Sequence, residues 1–87
     1  MGNFIGGSAY AMARDVAEGM ILVNTNMFRK FTPAELKQLT FELDKVQKEA
    51  RAEQPSQDDT QAIQKRGRKL SRITTAMNII NAALIKR

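Results

Sequence analysis

The chain contains no cysteine and no histidine. It therefore has no disulfide to stiffen a small fold, and no thiolate or imidazole from which a zinc site is ordinarily built. With neither residue type present and no Asp/Glu grouping at metal-ligand spacing, no catalysis, metal or cofactor is expected. Missing cysteine leaves the redox compartment open. No apolar run approaches the ~20 residues of a membrane span, and the uncharged stretch 73–85 falls far short of it. Arg14, Asp15 and Glu18 interrupt the apolar N-terminal stretch, which also lacks a basic start, so no signal peptide is expected. Gly6 stands where a myristoylation signal needs Ser or Thr. Gly6-Gly7 has no following Lys-Ser/Thr, which removes a phosphate loop. The expected location is the cytoplasm.

Acid is missing from the last third of the chain. Residues 1–30 hold three basic and two acidic groups, residues 31–59 four and seven, and residues 60–87 seven and none. The net charge of +5 therefore hides an acidic middle next to a basic tail. Such a chain pairs internally, or binds a polyanion with the excess.

What is present is helical periodicity. In the 87 residues, three segments carry apolar positions at alternating steps of three and four. The first, expected over 8–23, has Ser8 as N-cap and the stripe Ala9, Ala13, Val16, Met20 and Val23, with Gly19 weakening it and Asn24-Thr25-Asn26 stopping it. The second, expected over 33–53, has the strongest start in the chain. Thr32 and Glu35 form a capping box, Pro33 stands at the first helical position, and Phe31 with Leu36 forms a hydrophobic staple. Its seam is Leu36, Leu39, Leu43, Val46 and Ala50, and Pro55-Ser56 breaks it. The third, expected over 57–86, has the seam Ile63, Arg66, Leu70, Ile73, Met77, Ile80 and Leu84.

A tight turn at 54–56 makes the second and third helices antiparallel. Leu36 then faces Ile73, Leu39 faces Leu70, Leu43 faces Arg66 and Val46 faces Ile63, all four pairs centred on the turn. The expected fold is all-α: one helical domain over 1–87, built on an antiparallel hairpin with a shorter N-terminal helix over its open end. Residues 1–7 are expected to lack regular structure. The third helix overhangs its partner with Met77, Ile79, Ile80, Leu84 and Ile85 pointing several ways. The first helix and Met27-Phe28 are expected to cover part of that surface, and a second copy of the chain the rest. Those five residues are thus the candidate interface of a dimeric helical bundle.

The other candidate site is basic. Lys65, Arg68, Lys69 and Arg72 share about a third of the helix surface, and a nucleic-acid backbone or other polyanion would use them through phosphate contacts. Against that, no aromatic is interleaved with them, as single-strand binding prefers. The competing reading is a solvated face, with Lys69 paired across the hairpin to Glu42. Arg66, a charge in the seam, is expected to bury its stem and extend its head to the rim. Glu35, Glu42 and Glu49 recur every seven residues and read as a flank of the helix pair, not as catalytic carboxylates. The function expected is a non-enzymatic helical module for protein interaction or oligomerisation. The alternative is a nucleic-acid-binding accessory protein. Contact with a membrane surface ranks third, because the basic and apolar halves lie in series along the helix instead of on opposite faces.

Overall fold

The computed structural model of the protein describes Phe4 and residues 7–85. The expectation for residues 1–7 therefore lies largely outside the described residues, as does the expected end of the last helix at 86. Helix α1 spans Ala9–Ala17, where the Ser8 hydroxyl accepts a hydrogen bond from the Ala11 amide at 3.1 Å. It ends well before the expected residue 23. Gly19 takes φ +81°, its amide donates to the Val16 carbonyl and the Met20 amide donates to that of Asp15. This is the paired 5→2 and 6→1 bonding of a left-handed helix stop, which glycine supplies without the steric penalty other residues carry.

After that stop the chain turns back along the hairpin. Asn24 caps a single turn, α2 (Thr25–Phe28), by accepting from the Met27 amide at 3.0 Å. The expected turn cluster is thus a helix start as well as an ending. Phe28 is fully buried, and its ring meets Phe31 edge-on at 5.6 Å, while Phe31 meets Phe4 in the same way at 5.6 Å.

Helix α3 (Pro33–Ala52) begins as expected. Thr32 accepts from the Glu35 amide, Glu35 accepts from the Thr32 amide at 2.8 Å, and Phe31 and Leu36 are both buried. Helix α4 spans Thr60–Ile85 and starts three residues later than expected. The Ser56 carbonyl accepts the Asp59 amide in a turn, and Asp59 caps the helix, its carboxylate accepting from the Ala62 amide. Helices α3 and α4 pack together as the antiparallel hairpin, and α1 packs against both.

The placement of α1 differs from expectation. Its N-terminal side lies near the start of α3, where Phe4 meets Phe31. Its last residues lie by the end of α3, because Glu18 and Glu53 share one Lys69 nitrogen. Helix α1 therefore runs parallel to α3 along the hairpin, while the apolar overhang of α4 is covered by Ile21, Val23, Met27 and Phe28 from the returning chain. The α3 seam is buried as read. The α4 seam is turned: Ile73 and Ile80 are buried, but so are Ala76 and Ala83, and Ile63 is 45% exposed. Alanines on that flank of α4, with Ala9, Ala13 and Ala17 on α1, leave little side-chain bulk where α1 packs on the hairpin.

Candidate binding face on the basic helix

Helices α1 and α3 end side by side, so each presents its last carbonyls and the negative end of its dipole to the same stretch of α4. That stretch carries the basic cluster. Arg66 donates through Nε to the Ala50 carbonyl at 3.0 Å and through Nη2 to the Arg51 carbonyl at 3.1 Å, closing the end of α3. Arg72 donates through Nη1 to the Ala17 carbonyl at 3.1 Å, closing the end of α1. Lys69 stands between them, 3.4 Å from Glu18 and 3.3 Å from Glu53. Partial burial pulls the Lys69 ammonium down, but its bond to Glu53 and the charges of Glu18 and Glu53 outweigh that and hold it above the ordinary lysine value.

Two expectations are corrected here. Lys69 does not pair with Glu42, because α1 brings Glu18 to it and the end of α3 brings Glu53. Glu42 instead lies 3.8 Å from Lys45 on its own helix, with its second carboxylate oxygen buried and without a hydrogen-bond partner among the described residues. Nor does Arg66 simply reach the rim; it caps a neighbouring helix.

Of the four residues singled out as a polyanion site, Lys69 and Arg72 thus hold the fold together. Lys65 and Arg68 remain exposed, with no ion-pair partner among the described residues. These four and Glu18 line a depression of about 260 Å³. It adjoins an apolar cleft of about 270 Å³ between the returning chain (Gly19, Ile21, Leu22, Val23) and α4 (Ser71, Arg72, Thr75). Arg72 belongs to both. At this edge Met20 is 77% exposed and Leu22 87% exposed. The cleft was not expected from the sequence, although a signal is there: once Gly19 ends α1, Met20 leaves the stripe that would have buried it.

The five candidate interface residues separate. Ile80 is fully buried, Met77, Ile79 and Leu84 pack partly against the core, and Ile85 is 84% exposed. Glu35, Glu42 and Glu49 do not converge, and no cluster of three acidic side chains among the described residues is placed to hold a metal. No helix among the described residues is long and apolar enough to cross a membrane. No family model, curated protein or solved structure matches the chain.

Proposed function

We propose that this chain is a non-enzymatic helical module that works by binding a protein partner in the cytoplasm. The observation that carries this reading is the exposure of two large apolar side chains, Leu22, which lines the cleft, and Met20, two residues before it. An exposed apolar cluster rimmed by charge is the usual mark of a protein contact. The basic helix supports the nucleic-acid alternative less than its composition does, because Arg66, Lys69 and Arg72 are engaged by helix ends.

A photo-reactive residue at position 22 tests the reading. Crosslinking to one protein in stoichiometric amount, lost in a Met20→Asp variant, is the expected outcome. Titration with generic duplex and single-stranded nucleic acid is the opposing arm. Binding that falls steeply with salt and disappears in Lys65→Gln/Arg68→Gln would replace this reading with the nucleic-acid one. Self-association is a second mode of the same module, favoured by Ile85, whose exposure leaves an apolar end on α4.

A further inference from the structure

The cleft and the basic depression lie end to end along α4, meeting at Arg72, and the two halves of the groove they outline differ in what they accept. The apolar half holds about 270 Å³. That is below the roughly 300–1,000 Å³ of sites that enclose a small-molecule ligand, and suits one large side chain. The basic half offers Lys65 and Arg68 as uncommitted cations, and its single acid, Glu18, is already engaged by Lys69. Thr75 and Arg68 are seven residues apart on α4, and Thr75 and Lys65 ten, or about 10 and 15 Å along the axis. An occupant therefore needs an apolar group at one end and negative charge two to three turns away.

We propose that the groove receives an acidic amphipathic helix of a partner protein, with an apolar anchor between Leu22 and Thr75 and carboxylates at Arg68 and Lys65. This rests on the protein-binding reading above and names the chemistry of its partner. On a helix laid along α4, positions i, i+7 and i+11 fall on one face, at about 10 and 16 Å, close to the two separations in the groove and within the reach of a Glu side chain. Charge complementarity selects an acidic helix over a neutral one, since Lys65 and Arg68 would otherwise be covered without compensation. A phosphate polymer matches only the basic half and leaves Met20 and Leu22 in water. A membrane surface is not matched either, because the apolar and basic halves follow one another along the axis.

The probe is a fluorescein-labelled helical peptide of about 20 residues with Leu at i and Glu at i+7 and i+11 in an Ala/Gln background. It should bind with a measurable Kd, weakened about tenfold or more by Glu→Lys at both peptide positions, and likewise by Leu→Ser at the anchor. Lys65→Glu/Arg68→Glu and Thr75→Glu should weaken it to a similar degree. All three positions are exposed, so circular dichroism and the thermal midpoint should confirm that these variants stay folded. Equal affinity for acidic and basic peptides would overturn the acidic-helix assignment while leaving the protein-binding reading in place. No binding of the acidic peptide up to about 1 mM would do the same. Tight, salt-sensitive binding of a single-stranded oligonucleotide that displaces the peptide would bring down both.

Discussion

Gly19 holds φ +81°, and a Cβ built there would stand 2.7 Å from the Arg72 guanidinium carbon. The turn out of α1 and the cation that closes α1 thus depend on the same missing side chain. Gly19→Ala should cost about 1–2 kcal/mol from the left-handed conformation alone. It should cost more if Arg72 is also pushed off the Ala17 carbonyl, which urea denaturation would measure. In an Arg72→Ala background that second part is already lost, so the two changes should be less than additive; strict additivity would mean that they act separately. Glu42 offers the opposite case. One of its carboxylate oxygens is buried without a hydrogen bond among the described residues, and its ammonium partner is 3.8 Å away. A buried polar atom left unpaired costs stability, so Glu42→Met should raise the unfolding free energy by about 1 kcal/mol. A lower value would show that this carboxylate is satisfied in solution.

At the scale of the helices, the basic residues of α4 fall into two groups by what they face. Arg66, Lys69 and Arg72 face the ends of α3 and α1, where carbonyls lack helical partners and the dipoles are negative. Replacing Arg66 or Arg72 by Met, which keeps the stem and removes the donors, should cost about 1–3 kcal/mol. Lys65→Gln and Arg68→Gln should stay within about 0.5 kcal/mol, as exposed positions do. Lys69 adds a pH dependence whose sign follows from its raised folded-state value. Its contribution is complete below the ordinary lysine value and is lost as pH rises through the folded one. The stability difference between wild type and Lys69→Met should therefore be constant at neutral pH and shrink as pH rises past the ordinary lysine value. A difference that persists unchanged at the alkaline end would assign Lys69 a packing role only. The start of α3 was legible in the sequence because capping box, proline and staple are all local signals. The grouping of these cations was not, since nothing near Lys69 in the chain says that Glu18, some fifty residues earlier, will be folded beside it. The end of α1 is legible in principle: Gly19 is not only a weak helix former, since just past Ala17 it stands where a helix stop needs glycine.

For the whole molecule, the all-α class and the antiparallel hairpin followed from two periodic seams and the breaker between them. The register did not, since Arg66, expected opposite Leu43, instead reaches the Ala50 and Arg51 carbonyls one heptad further along α3. The packing of α1 did not follow, because alanines such as Ala13 and Ala76 carry little hydrophobic signal and decide the outcome by being small. Their burial turns α4 by one position and frees the returning chain to cover the apolar overhang. That changes how self-association is tested. Ile79 now packs against the core, so a charge there would report on folding as much as on assembly. Ile85 is 84% exposed and separates the two effects. Ile85→Glu should leave the thermal midpoint of the dilute protein unchanged. If the apolar end of α4 joins two copies, wild-type sedimentation should shift with concentration and its midpoint should rise with it, since association stabilises only the folded state. Ile85→Glu should abolish both effects. A wild-type chain that sediments as a monomer at every concentration would confine its interactions to the groove of Leu22, Arg68 and Thr75.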